Sequence, residues 1–120
     1  MSIATDVASI HIMAAVYKKD KPAEIFKETV ERLVEHVPYI DWCGVYVGEN
    51  EQWRLMASAS EENNNSWEHN GQLSFSLKDL NGKEVGILVV KSKEPIAFDV
   101  TDVSTLETVA DALSQQITMN

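Results

Sequence analysis

The first candidates for chemistry in this 120-residue chain are one thiol, three imidazoles and a few aromatic rings. Cys43 is the only cysteine, so neither an intramolecular disulfide nor a cysteine-rich zinc site can form. Redox chemistry at a thiol needs an attacking thiolate and, as a rule, a second cysteine to resolve the intermediate. Cys43 instead sits in the run Trp42-Cys43-Gly44-Val45-Tyr46-Val47, where apolar surroundings raise a thiol's pKa and suppress its reactivity. A structural role is expected for it. His11, His36 and His69 are widely separated and have no cysteine or paired carboxylate at ligand spacing. A zinc site would have to be assembled wholly by the fold, so all three read as surface histidines and no metal is expected. No glycine-rich phosphate loop, nucleophile elbow or His-Glu-x-x-His occurs among the five glycines, which removes hydrolase and kinase signatures. The chain reads as a non-enzyme without a cofactor.

These side chains must be positioned by elements that the apolar spacing marks out. Ile3, Val7, Ile10 and Ala14 recur at intervals of three and four, predicting a helix over 3–17 with Thr5 or Asp6 near its start as a cap. Pro22 breaks that helix and suits the first turn of a second, whose apolar face is Ile25, Phe26, Val30, Leu33, Val34 and Val37, with Pro38 at its end. A strand over 41–48 points Trp42, Gly44 and Tyr46 one way and Cys43, Val45 and Val47 the other, with both faces looking covered. A strand over 52–59 sets Trp53, Leu55, Ala57 and Ala59 against Arg54, Met56 and Ser58; it is more one-sided and so nearer an edge.

Residues 60–70 lack periodicity and read as a polar loop carrying Asn63-Asn64-Asn65 and an exposed Trp67. A third strand over 72–78 alternates Leu73, Phe75 and Leu77 with serines, and Asn81-Gly82 is a strong hairpin signal. The fourth strand, 84–91, has almost no polar side, as expected of a central strand. Asp99 can cap the last helix and Asp102 lies in its first turn, ahead of an apolar face of Val103, Leu106, Val109, Ala110, Leu113 and Ile117. The sum is one domain over 1–120 of α+β class, an α/β sandwich. Its antiparallel sheet has about four strands, with the N- and C-terminal helices packed on one face.

Composition narrows the partners. Hydrophobic residues make up 44% and charged residues 24% of the chain, which is ordinary globular usage. The formal net charge is −9, and no Lys or Arg follows Lys93. That balance argues against nucleic acid and anionic membrane surfaces, both of which need a basic face. The chain has no apolar stretch of spanning length and no signal-peptide pattern, and with its single cysteine it is expected in the cytoplasm.

Two segments carry a resemblance. Asp41-Trp42-Cys43-Gly44-Val45-Tyr46 is similar to the Asn-Trp-x-Gly-Phe-Tyr first strand of GAF domains, especially those resembling free methionine-R-sulfoxide reductases. Val85-Gly86-Ile87-Leu88-Val89-Val90-Lys91-Ser92, with Ala97-Phe98-Asp99-x-x-Asp102 and Leu106-Glu107, resembles the family's last strand and the start of its last helix. The resemblance spans both ends of the domain and implies a GAF/PAS-like sheet. The middle departs from the family: only residues 60–70 stand where GAF domains carry a helix and loops that wall in a ligand, and where the reductases keep their reactive cysteines. At positions where those reductases offer carboxylates to the substrate ammonium, this chain has Val89 and Lys91.

The resemblance therefore implies a non-catalytic sensory or regulatory domain with a shallow site. Trp42 and Tyr46 occupy positions that line the family's pocket and are the first candidates for ligand contact, with Trp53 and Trp67 as further walls. The plainer alternative is that Trp42, Tyr46 and Trp53 only complete the core. GAF domains commonly pair through their terminal helices, so a homodimer is expected, with Val100, Ala112, Ile12, Met13 and Ala15 as residues off the main stripes that could form the contact. A signalling partner protein, a dimerising module without a ligand and a residual reductase complete the set of readings.

Overall fold

The computed structural model describes residues 2–18, 21–49, 52–60, 71–93 and 98–118. Its elements are α1 (Ser2–Tyr17), α2 (Pro22–His36), β1 (Trp42–Glu49), β2 (Gln52–Ser60), β3 (Gly71–Lys78), β4 (Glu84–Ser92) and α3 (Val100–Thr118). The four strands form one sheet in the order β2-β1-β4-β3, with every pair antiparallel. Helices α2 and α3 pack on a single face of it, and α1 packs against α2 and α3 rather than on the sheet. This is the expected α+β architecture, and the nearly all-apolar β4 is central, as its composition required.

The core lies between the helices and one sheet face. Cys43, Val45, Leu88, Val90, Phe75 and Leu77 come from the strands; Ile25, Phe26, Val30 and Leu33 come from α2; Leu106, Val109, Ala110 and Leu113 come from α3. Each fully buried Leu, Ile or Val contributes about 1.5–3 kcal/mol through removal of apolar surface from water. Pro22 stands at the start of α2, and Thr29, buried mid-helix, donates its hydroxyl to the Ile25 carbonyl at 2.7 Å. On the solvent side Arg32 bridges Glu28 at 2.7 Å and Glu35 at 3.0 Å.

Two details depart from the sequence reading. Among the described side chains of α1 the buried ones are Ala8 and Ile12, whereas Val7, Ile10 and Ala14, expected to face inward, are exposed, Ile10 to 69%. The helix is apolar nearly all round, so its periodicity does not select a side, and packing on α2 and α3 does. In β2 the register shifts between Val45 and Tyr46: Ala57 pairs with Val45 but Leu55 pairs with Tyr46, leaving Met56 as the extra residue of a bulge. The bulge breaks the alternation, so Ala57 and Ala59 face the helices while Leu55 and Trp53 share the opposite face with Tyr46. β2 is nonetheless an edge, as expected.

Polar groups fix the ends of the elements. Asp99 Oδ1 accepts from the Asp102 N–H at 2.7 Å and Asp102 Oδ2 accepts from the Asp99 N–H at 3.1 Å, a reciprocal cap on α3. The other Asp102 oxygen accepts from the Tyr39 hydroxyl at 2.7 Å, and the Tyr39 ring meets Phe98 edge-on at 5.6 Å. Asp102 is fully buried, and these bonds are what make a carboxylate tolerable there. Buried Asp41 ties β1 to β4: its N–H donates to the Lys91 carbonyl at 2.8 Å and its Oδ2 accepts from the Lys93 N–H at 2.6 Å. At the β3–β4 hairpin, Gly82 takes φ +81° and donates to the Asp79 carbonyl at 3.0 Å.

Gly86 marks a close approach of one strand's backbone to the next. A Cβ there would lie 2.6 Å from the Tyr46 carbonyl oxygen of β1 and 3.3 Å from Ile117 Cδ1 of α3. Gly86→Ala is expected to cost about 1–3 kcal/mol, because backbone cannot move aside as a side chain can. Urea unfolding should show this as a lower midpoint with an unchanged slope; a midpoint equal to the wild type would contradict the close approach.

Candidate functional site

The sheet face turned away from the helices holds the candidate site. In β1 the alternation puts Trp42, Gly44, Tyr46 and Gly48 on this face. Pairing with β4 brings Lys91 opposite Trp42, Val89 opposite Gly44 and Ile87 opposite Tyr46. Pairing with β2 adds Ser60, Ser58, Leu55 and Trp53 opposite the same four β1 residues. Beyond β4, Gln72, Ser74 and Ser76 of β3 continue the three rows. An apolar centre is thus flanked by polar residues of β3 on one side and by the Ser58–Ser60 end of β2 on the other, while Leu55 and Trp53 extend the apolar surface.

Gly44 makes room for the central ring. A Cβ at this position would run into the six-membered ring of Trp42, so the indole lies across Gly44. Tyr46 approaches from the other side, its ring centroid 6.5 Å from that of Trp42 at an interplanar angle of 42°. The ammonium of Lys91 stands 4.8 Å from the Trp42 ring centroid, within cation–π range. Trp42 and Tyr46 are half-buried, so neither is sealed in the core, and among the described residues no helix packs on this face. Trp53 is 49% exposed and leans against Gly48, its Cζ3 3.6 Å from where a Cβ would be. Three of the four proposed contact residues therefore share one face; Trp67 lies outside the described residues.

Cys43 is directed elsewhere. It is fully buried among the core residues on the helix side, and burial pushes its thiol well above the ordinary range. His11 stacks on His36 between α1 and α2, ring centroids 4.8 Å apart and 4° from parallel, remote in sequence and element from the aromatic face. His36 is partly buried by this stack rather than lying free on the surface. His69 lies outside the described residues. Among the described residues no group of three or more metal-ligating side chains comes together.

Sequence reasoning missed the placement of Lys91 over Trp42 and the Tyr39–Asp102 bond. Both link residues more than forty positions apart: strand register brings Lys91 opposite Trp42, and the packing of α3 beside the turn before β1 brings Asp102 to Tyr39. Signals were present for each half: Asp102 stood in a helix first turn, and Lys91 was already marked as a position where reductases carry a carboxylate.

Comparison with known proteins reaches the fold alone. No family model matches the sequence. No curated protein sequence matches it. Solved structures do match. The GAF domain from an Acinetobacter phosphoenolpyruvate-protein phosphotransferase superposes with a TM-score of 0.80 at 17% identity, covering 98% of this chain and 94% of that one. The type II free methionine-R-sulfoxide reductase from Thermoplasma acidophilum gives 0.71 at 16% identity over 80% of this chain and 92% of that one. The phycoerythrobilin-bound GAF domain from a cyanobacterial phytochrome gives 0.70 at 9% identity over 95% and 94%. The chain has the GAF-domain fold, a fold that carries enzymes as well as binding domains. Among the described residues no helix is long and apolar enough to cross a membrane.

Two groups give a pH test with a definite sign. Burial raises the Cys43 thiol, and burial followed by the bond to Asp102 raises the Tyr39 phenol. The folded chain keeps both protons where the unfolded chain releases them, so stability must fall as pH rises through the ordinary thiol and phenol ranges. Urea midpoints are expected to decline above about pH 9, and Tyr39→Phe together with Cys43→Ala should flatten that decline. A thiol reagent at neutral pH should label Cys43 only as fast as the chain opens, accelerating with urea; rapid labelling of native protein would contradict its burial.

Proposed function

We propose that this chain is a non-catalytic sensory or regulatory domain of the cytoplasm that holds a small molecule on the sheet face built by Trp42, Tyr46 and Trp53. The observation that carries the reading is the indole of Trp42, laid over Gly44, half-exposed, with the Lys91 ammonium above its ring. A broad apolar surface next to one cation suits a molecule with a flat or apolar body and an anionic group. The thiol supports a non-catalytic role: Cys43 faces the helices, across the sheet from the aromatic residues, and burial keeps it protonated. A residual sulfoxide reductase would require the only sulfur nucleophile to cross the sheet.

A panel of amino acids, nucleotides and small organic anions tests this by thermal shift. A ligand present at one hundred times its Kd stabilises the fold by about 2.7 kcal/mol. Trp42→Ala is expected to abolish the shift and Lys91→Met to weaken it more for anionic members than for neutral ones. Hits that survive both substitutions would move the site off this face.

A second reading concerns self-association and rests on α1. Val7, Ile10 and Ala14 form an exposed row on one side of that helix, with Ile10 69% and Val7 38% exposed. We propose that two copies pair through this row; of the contact residues expected from the sequence, Ile12 is buried in the core and Val100 is exposed. Light scattering should then give a dimer at tens of micromolar that Ile10→Glu converts to a monomer without loss of helicity; a wild-type monomer at that concentration would end the reading.

A further inference from the structure

A groove on a different part of the molecule is unused by either role above. It runs between β3 and α3, has a volume of about 610 Å³, and is floored by Phe75, Ala110 and Ser114. Ala110 and Ser114 are one turn apart on α3, and their small side chains leave depth beside the strand. Glu107 and Asp111, also one turn apart and both exposed, form the helix wall, and Leu80, 95% exposed, closes one end. The groove is bordered on its other side by Ser74 to Lys78 of β3.

β3 is an edge strand, and among the described residues no strand pairs with its outer side. An edge of this kind presents alternate N–H and C=O groups ready for another chain. Edges are commonly blunted by bulges or proline. β2, the opposite edge, has its bulge in mid-strand, but β3 runs regularly from Gly71 to Leu77, has no proline, and shifts register only at Leu77/Lys78. Its far end is already satisfied by the helix: the Lys78 N–H donates to Ser114 Oγ at 3.1 Å, and that hydroxyl donates to the Ala110 carbonyl at 2.9 Å. The stretch before it lies along the groove.

Charge selects the occupant. Glu107, Asp111 and Asp79 line the groove against Lys78, the one basic residue of its lining among the described residues, and α3 itself contains no Lys or Arg. A second copy of this chain would bring its own Glu107 and Asp111 against the first pair, in a protein of net charge −9. We infer that the β3–α3 groove takes up an extended, lysine- or arginine-bearing segment of a partner protein as an added strand. Main-chain bonds to the β3 edge would give the affinity, and alternate side chains, the basic ones, would lay their aliphatic stems over the floor beside Phe75 and Ala110 and carry their charges to Glu107 and Asp111, the other set facing the opposite side of the sheet. At about 3.3 Å per residue the stretch from Ser74 to Lys78 accepts a segment of about five residues.

The probes are three capped, fluorescent hexapeptides: alternating Lys-Val, alternating Glu-Val, and Lys-Val with alternate backbone nitrogens methylated. The Lys-Val peptide is expected to bind the 120-residue chain, with affinity falling as salt rises and amide shifts centred on 74–77. The Glu-Val and N-methylated peptides should bind at least tenfold more weakly. Glu107→Lys with Asp111→Lys, at exposed helix positions that leave the fold intact, should cost the Lys-Val peptide at least tenfold. The inference is overturned if the Lys-Val peptide fails to bind at millimolar concentration, if N-methylation or charge reversal leaves its affinity unchanged, or if the shifts centre on Trp42 and Tyr46. Self-association through β3 in the absence of peptide, seen by light scattering and strengthened by salt, would make a second copy the occupant and equally overturn it. Neither the aromatic face nor the α1 row enters this test, so its failure leaves those readings standing.

Discussion

Strands β1 and β4 must pair before either face of the sheet exists, and the structure concentrates its tightest contacts where they do. Gly86 lets the β1 backbone approach at Tyr46 while admitting Ile117 of α3 from the helix side. At the other end, Asp41 holds the β4 terminus through Lys91 and Lys93. Between these points, Val45 and Leu88 enter the core side by side, and Tyr46 and Ile87 lie opposite one another on the other face. One pairing therefore fixes the hydrophobic core and the aromatic surface together, because a one-residue slip would exchange the two faces.

The carboxylate of Asp102 performs a comparable task at the junction of helix and sheet. Without its partners it would be a costly buried charge. With the Asp99 N–H and the Tyr39 hydroxyl it both caps α3 and anchors the turn that leads from α2 into β1. The Phe98 ring closes over that turn against Tyr39. The start of the last helix is thereby coupled to the entry of the strand that bears Trp42.

The surfaces left over have different chemical characters. The aromatic face is apolar at its centre and carries a cation above an indole, which suits small molecules. The β3–α3 groove is acidic and bordered by main chain, which suits an extended basic peptide. The row on α1 is short and apolar. The three surfaces lie on the sheet face, the sheet edge and the outermost helix, with Ser74 and Ser76 common to the aromatic face and the groove.

Much of this was written locally in the sequence. The stripe Ile25, Phe26, Val30 and Leu33 on α2, the alternation of Leu73, Phe75 and Leu77 with serines, the unbroken apolar run of β4 and the Asp99 cap each depend on neighbours in the chain, and each appears where the sequence placed it. Alternation likewise put Cys43, Val45 and Val47 on the face opposite Trp42 and Tyr46, but both faces look covered in the sequence, and among the described residues it is the packing of α2 and α3 that covers only the Cys43 side. Tertiary structure alone decided the rest. The bulge at Met56 sends Trp53 and Leu55 to the aromatic face, an offset that alternation cannot encode. The side on which α1 packs, the seat of Lys91 over Trp42 and the exposed β3 edge likewise depend on elements distant in sequence. Periodicity tells which residues share a face with one another, but whether that face is covered is determined by what packs against it.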